Sequence, residues 1–456
     1  MSETERAYFV GAGGIGMSAL ARYFITLGRD VAGYDRVSTP LTDGLIREGM
    51  VLNFEDDPSL IPDTFRDPGS TLVIYTPAVP ESLAQLKWFR QAGHRVIKRS
   101  VMLGEIFNSG RGIGVAGTHG KTSISSTLAH ILNHSDLGCN AFLGGISKNN
   151  HSNLYVDPGS ALILAEADEF DRSFLTLFPE VAVVSSMDAD HLDIYGDRAR
   201  LREGFEAFIA QVRKGGILVL KKGLDPGVPS HIKVFTYALE DEQADYAAHG
   251  FVEQDIGSVF SVRTPVGEIP EIRLGVPGRL NVENAVAAVA VAHQLGVPAG
   301  TITRSLAEYK GVERRFDVQM MAAGRVYIDD YAHHPREIRA FLESVRSLFP
   351  GQKITGIFQP HLYSRTRDFA REFAESLSLL DTLILLPIYP AREEPLPGVS
   401  SSLIFEQVDL KNKYLVENSQ LMKVLEAQQP ELLVSMGAGD ISQFVEPIKN
   451  LMEQSE

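Results

Sequence analysis

The 456-residue chain has one cysteine, Cys139. A lone thiol closes no internal disulfide, and without a Cys/His cluster around it there is no support for a structural zinc site; an idle, buried thiol is the expectation. Also missing is any apolar run long enough to cross a bilayer, and the opening MSETERAYFVGAGG places acidic residues before a short apolar run broken by glycines. A cytoplasmic protein with no membrane partner is expected. Positive charge is in short supply: 43 Lys and Arg face 58 Asp and Glu, a formal net charge of -15. That balance argues against a nucleic-acid partner, while a local basic pocket for a small anion stays open. Internal repeats and low-complexity tracts are lacking as well, and 44% hydrophobic content leaves room for two to four ordinary domains. No sequence feature speaks to oligomeric state.

What is present is an alternation of short β-rich apolar runs with amphipathic helical stretches, the pattern of parallel α/β sheets. The first segment, 1–108, reads as strand AYFVGAG, a helix from about Ile15 to Leu27, and strands DVAGYD, TLVIYTP and HRVIKRS with helices between, ending at the turn-like NSGRG. The second, 109–319, opens on strand GIGVAG and carries SALILAEAD and EVAVVSSMD, two apolar strands that end in carboxylates, where α/β enzymes place chemistry. It closes on the helix NVENAVAAVAVAHQLG and the connector GVERRFDVQ. The third, 320–456, runs from GRVYIDDYAHHP through strands ITGIFQP, TLILLPI and LLVSMGAGD. The predicted fold class is α/β in three domains, N-terminal Rossmann-like, central P-loop ATPase with a mostly parallel sheet, and C-terminal Rossmann-like.

GAGGIG puts Gly11, Gly13 and Gly16 between a strand and a helix, and Asp35 ends the next strand, so the dinucleotide fingerprint is met. The physics requires only that a glycine turn bring an anionic phosphate to a helix N-terminus; NAD, FAD, a nucleotide-sugar diphosphate and a structural turn all stay open. A second loop, GVAGTHGKTS, lacks the glycine that ordinary P-loop spacing puts at position 115, which is Val115. It still lies between a strand and the helix TSISSTLAHILNH. Gly117 and Gly120 free the backbone to turn N–H groups inward, Lys121 reaches outer phosphates and the Thr122 hydroxyl suits magnesium; a surface Gly-Lys turn is the alternative.

LAEADEFD then supplies Glu166, Asp168, Glu169 and Asp171, and SSMDADHLDIYGD supplies Asp190, His191 and Asp193. At strand ends behind a P-loop these suit magnesium that neutralises phosphates and a reacting carboxylate, and solvated loop charge is the alternative. DDYAHHPREI and FQPHLYSRT place Asp330, Tyr331, His333, His334, His361 and Arg365 just after predicted strands, where arginine pairs with carboxylate and histidine with phosphate or substrate. The double histidine also reads as a helix N-terminus, and Arg314 and Arg315 as a solvated linker.

Together GGIGMS, GTHGKTS, EADEFD, DADHLDIYG, PGRLNVENAVAA, RRFD, DDYAHHP, FQPHLYSRT and GAGDI resemble the Mur ligases of peptidoglycan synthesis, in order from Phe9 to Ile441. GTHGKT resembles that family's own shorter phosphate loop. The resemblance implies ATP-driven amide formation through an acyl phosphate, with UDP-N-acetylmuramate and L-alanine as partners and ATP and Mg2+ as cofactors. It implies that Gly11, Gly13, Gly14, Ile15, Gly16 and Asp35 bind the UDP-sugar in the first domain, with Tyr331 and His333 on the substrate side of the third. Gly117, Thr118, His119, Gly120, Lys121 and Thr122 would hold the phosphates of ATP, Asn281 and Asn284 its adenine, with Arg315 and Asp330 as further contacts. Thr122, Glu166 and His191 would ligate magnesium, and His361 and Arg365 would handle the amino acid or the tetrahedral intermediate.

Leu280 and Leu362 depart from the family's pattern, in which histidine and arginine are common. No lysine lies between His191 and Lys214, where several relatives carry a carbamoylated one. That absence agrees with the alanine-adding branch. A tripeptide-recycling branch and, outside the family, a nicotinamide dehydrogenase are the alternatives.

Overall fold

In the computed structural model residues 5–188, 198–254, 256–322, 324–391 and 393–454 are described. The first sheet contains β1 (Arg6–Val10), β2 (Asp30–Tyr34), β3 (Val51–Asn53), β4 (Thr71–Tyr75) and β5 (Arg95–Lys98), in the order β3-β2-β1-β4-β5 with every pair parallel. Successive residues of β1 feed opposite layers, as the strand period of two dictates: Ala7 and Phe9 join one core, Tyr8 and Val10 the other.

The second sheet contains β6 (Arg111–Ala116), β7 (Asn140–Ser147), β8 (Ser152–Tyr155), β9 (Leu162–Ala167), β10 (Val181–Val184), β11 (Ile217–Lys221), β12 (Lys233–Leu239), β13 (Tyr246–Gln254), β14 (Gly257–Thr264) and β15 (Gly267–Leu274). Its order is β15-β14-β13-β12-β11-β10-β6-β9-β7-β8, and the pair β7–β8 is antiparallel. Within these two sheets the sequence reading left out β3, β7, β8 and the run β11 to β15. The last of these shows why: β14 alternates buried and half-buried residues and carries no continuous apolar run.

The third sheet contains β16 (Asp317–Ala322), β17 (Arg325–Asp330), β18 (Ile354–Phe358), β19 (Thr382–Leu385), β20 (Asn412–Leu415) and β21 (Leu432–Met436), ordered β16-β17-β21-β18-β19-β20. β16 pairs antiparallel with β17, so the third sheet begins at Asp317, before residue 320. β18 and β21 are buried along their whole length, as strands covered on both faces must be.

The chain divides into two compact units, one holding the first sheet and most of the second, the other holding the third with Val252–Val259 and Leu274–Val282. Within the first unit a buried asparagine ties the two sheets together. Asn153 donates to the Ile15 carbonyl at 2.5 Å and to Ser18 Oγ at 2.9 Å, and accepts from Arg22 Nη1 at 2.5 Å. The helix Ile15–Thr26 is thereby pinned beside β8, which sets where the glycine loop points relative to the second sheet.

Candidate functional site

Gly14 caps the helix Ile15–Thr26 without a side-chain hydrogen bond. Gly13 N–H donates to Asp35 Oδ2 at 2.7 Å and Val37 N–H to Asp35 Oδ1 at 3.2 Å, so this carboxylate is turned onto its own loops. In the second loop β6 ends at Ala116 and the helix Lys121–Asn133 begins after Gly120, whose φ of +84° is left-handed. A Cβ on Gly117 would lie 2.1 Å from Ser185 Oγ, and one on Gly120 would lie 2.7 Å from Asn284 Oδ1. Both positions therefore exclude a side chain, and Asn284 stands against the loop. Ser186 Oγ accepts from His119 N–H at 2.8 Å and lies 3.0 Å from Thr118 Oγ1. The loop is thus fixed to the carboxyl end of β10 by two serines that sequence reasoning passed over.

Lys121 does not point into open space. Its Nζ donates to the Gly117 carbonyl at 2.7 Å and to both oxygens of Glu169, at 2.9 and 2.7 Å, with Asp168 Oδ1 4.0 Å away. The Glu169 side chain is 0% exposed and that of Lys121 16%. Burial alone disfavours the ammonium, but Glu169 and then Asp168 outweigh it and the net shift of the lysine is upward. Glu166 closes the other side: its Oε1 accepts from Gly144 N–H at 2.6 Å and its Oε2 from the Thr122 hydroxyl at 3.1 Å. Burial pushes the Glu166 carboxyl up, against the Gly144 amide and Lys121.

A cavity of about 350 Å³ opens between the two loops, lined among others by Gly14, Ile15, Gly16, Thr76, Arg99, Gly144, Lys121, Glu166 and Asp168. It brings together the glycine loop, the phosphate loop and the carboxylates that end β9. Arg99, which follows β5, was not singled out from the sequence; its signal is its place at the carboxyl end of a parallel strand. Among the described residues no group of three or more His, Cys, Asp or Glu could hold a metal ion. Asp190, His191 and Asp193 lie outside the described residues.

The second unit carries its own constellation. Asp330 accepts from the amides of Phe316 and Ala332, each at 2.7 Å, and burial lifts its carboxyl to about 6 against the pull of Arg315. The guanidinium of Arg315 lies 5.0 Å from the centre of the Tyr331 ring and that of Arg314 5.2 Å from it. Arg314 is no solvated linker: it donates to the buried Asp329 at 3.0 Å and to the Gly437 carbonyl at 2.6 Å.

The ring of His333 lies 5.2 Å from that of Tyr331 and 5.9 Å from that of His361, which stacks on Tyr389 at 5.8 Å. His334 caps the helix Pro335–Leu348 in a capping box with Glu337, which realises the helix-start reading of the double histidine. Arg365 is buried on the short helix Tyr363–Asp368. Asn281 donates to the Pro277 carbonyl at 2.7 Å at the start of the helix Arg279–Gln294.

Three parallel-rich α/β sheets with a short phosphate loop facing a glycine loop define a nucleotide-handling enzyme of several domains. Family models match it in succession: Mur ligase family, catalytic domain, over residues 6–111; Mur ligase middle domain over 115–292; and Mur ligase, glutamate ligase domain, over 314–439. The chain belongs to the Mur ligase family. A UDP-N-acetylmuramate--L-alanine ligase of Parabacteroides distasonis is 50% identical over 454 residues, covering 99% of this chain and 98% of the relative. Its counterpart in Porphyromonas gingivalis is 49% identical over 452 residues, covering 98% of this chain and 99% of the relative. The crystal structure of a UDP-N-acetylmuramate-alanine ligase from Thermotoga maritima matches with a TM-score of 0.84 at 27% identity, covering 99% of this chain and 100% of that one. A murein peptide ligase from Psychrobacter arcticus shares the fold, with a TM-score of 0.69 at 20% identity over 99% of this chain and 98% of its own.

Proposed function

We propose that the protein is an ATP-dependent ligase that joins L-alanine to the carboxylate of UDP-N-acetylmuramate, an early step of peptidoglycan precursor synthesis. The observation that carries the reading is the cavity shared by the glycine loop, Lys121 and Glu166. A nucleotide sugar seated on the glycine loop extends toward the phosphate loop, as phosphorylation of its carboxylate requires. Full-length identity with alanine ligases supports the choice of amino acid over a tripeptide. A nicotinamide dehydrogenase would leave the phosphate loop without a role.

In the first step a carboxylate oxygen attacks the γ-phosphorus of ATP and ADP leaves, giving an acyl phosphate. In the second the alanine amine attacks the acyl carbon, and the tetrahedral intermediate expels phosphate as the nitrogen loses its proton. Lys121 exchanges Glu169 for the phosphoryl oxygens and stabilises their charge. The Thr122 hydroxyl and the Glu166 carboxylate are hard oxygen donors 3.1 Å apart, a pair that suits Mg2+, which when bound would offset phosphate charge. His191 completes that set in this reading. Asn281, Asn284, Arg315 and Asp330 serve ATP, Tyr331 and His333 the substrate, and His361 and Arg365 the amino acid, over domains 1–108, 109–319 and 320–456. A cytoplasmic reaction is part of this proposal. No described helix is long and apolar enough to cross a membrane. The test is purified protein with ATP, Mg2+, UDP-N-acetylmuramate and L-alanine, read by mass spectrometry for the joined product. ATP hydrolysis without that product refutes the reading.

A further inference from the structure

Arg99 occupies an electrostatically unfavourable place. It is the first residue of the helix Arg99–Asn108, which has no acidic residue in its first turn and no side-chain cap. A cation there opposes the positive end of the helix dipole. Its guanidinium crosses the start of a second helix: a Cβ on Gly16 would lie 2.9 Å from Arg99 Nη1, 3.2 Å from Cδ and 3.4 Å from Cζ. That helix, Ile15–Thr26, has no acidic residue in its first turn either. Two positive helix ends and a guanidinium thus converge on one wall of the cavity.

Among the described residues no acid compensates them. Among the described residues the Arg99 side chain has no ion pair or hydrogen bond. Asp35 is bound by the amides of Gly13 and Val37, Glu105 on the same helix pairs with Arg95, and the cavity's own acids, Glu166 and Asp168, stand with Thr122, Gly144 and Lys121.

We propose that Arg99 binds the diphosphate of the sugar nucleotide, and that Gly16 is free of a side chain so that the guanidinium can lie across the glycine loop. A planar fork of N–H donors matches two phosphate oxygens, and the adjoining helix N-termini add to the attraction. The last glycine of GAGGIG, Gly16, then serves an arginine from a distant strand end. The assignment rests on the reading of the cavity as a UDP-sugar site, and it separates the diphosphate from the muramate carboxylate as the arginine's partner.

The experiment is calorimetric titration of wild type, Arg99→Ala, Arg99→Lys and Gly16→Ala with UDP-N-acetylmuramate and with UDP-N-acetylglucosamine, which has the same diphosphate and no carboxylate. Arg99→Ala is expected to weaken both ligands by the same factor, roughly 10- to 100-fold. Arg99→Lys recovers part of the loss as a point charge, and Gly16→Ala, whose methyl displaces the guanidinium, weakens both. KM for the UDP-sugar rises while kcat at saturation changes less. Unchanged affinity for ADP in the same preparations reports an intact phosphate loop. A loss confined to UDP-N-acetylmuramate, or no loss for either ligand, overturns the assignment alone. A wild-type protein that binds neither sugar nucleotide overturns the reading of the cavity itself.

Discussion

Removing Lys121 will cost stability as well as activity, because the lysine is half of a buried ion pair. Glu169 is 0% exposed and receives two hydrogen bonds from Nζ, so Lys121→Met keeps much of the volume and withdraws the neighbouring ammonium from a carboxylate shut off from water. Breaking a buried pair from one side costs about 3–5 kcal/mol. The lower end, about 3 kcal/mol, applies because Lys121 is itself 16% exposed and Glu169 keeps further contacts. Glu169→Gln costs less, on the order of 1 kcal/mol, since Lys121 retains the Gly117 carbonyl and the nearby Asp168. The double variant Lys121→Met/Glu169→Gln removes both charges and lies about 2 kcal/mol below wild type where the summed singles give about 4 kcal/mol, a coupling of about 2 kcal/mol. The assay is urea unfolding followed by far-UV circular dichroism for the four proteins, with hydrogen exchange of the helix Lys121–Asn133 as a local readout. Both Lys121 variants make no joined product, yet bind UDP-N-acetylmuramate as wild type does. A double variant as unstable as the sum of the singles refutes the ion-pair argument.

Other consequences follow from single contacts. A Cβ on Gly144 would lie 2.5 Å from Glu166 Oε2, so Gly144→Ala pushes that carboxylate away from Thr122 and raises the Mg2+ concentration for half-maximal activity by roughly tenfold; an unchanged magnesium titration removes Glu166 from the metal site. The Asp330 carboxyl, lifted from 3.8 to about 6 by burial, binds its proton more tightly in the folded state, so stability falls as pH rises from about 4 to about 6 and stays lower above that. Asp330→Asn abolishes this slope, gaining on wild type by on the order of 2 kcal/mol between about pH 4 and pH 7; urea midpoints that shift in parallel for both proteins contradict it. Hydroxylamine added to ATP and UDP-N-acetylmuramate without alanine traps a hydroxamate, a reaction that needs Lys121 and tolerates Arg365→Ala. Loss of trapping in Arg365→Ala moves that arginine into the phosphoryl-transfer step.

Much of the architecture was legible because it is written in neighbouring residues. A short apolar run broken by glycine at AYFVGAG, an apolar run ending in carboxylates at LILAEA, and a glycine turn between strand and helix are local patterns, and each became the element it predicts. The ordered set of short motifs carried the family in the same way. Strands that alternate with polar residues, such as β14, or that last three residues, such as β3, hold too little local signal to be read.

Only the tertiary structure decided which distant groups meet. Nothing near Lys121 in sequence announces that Glu169 holds it folded back, and nothing near Gly16 announces that Arg99 lies across it. Nor does Asn153 reveal that it fastens the glycine-loop helix to the second sheet. Parallel strands joined by long crossovers bring their carboxyl ends to one edge whatever their spacing along the chain, so the charge balance of the site belongs to the fold, whereas its individual motifs belong to the sequence.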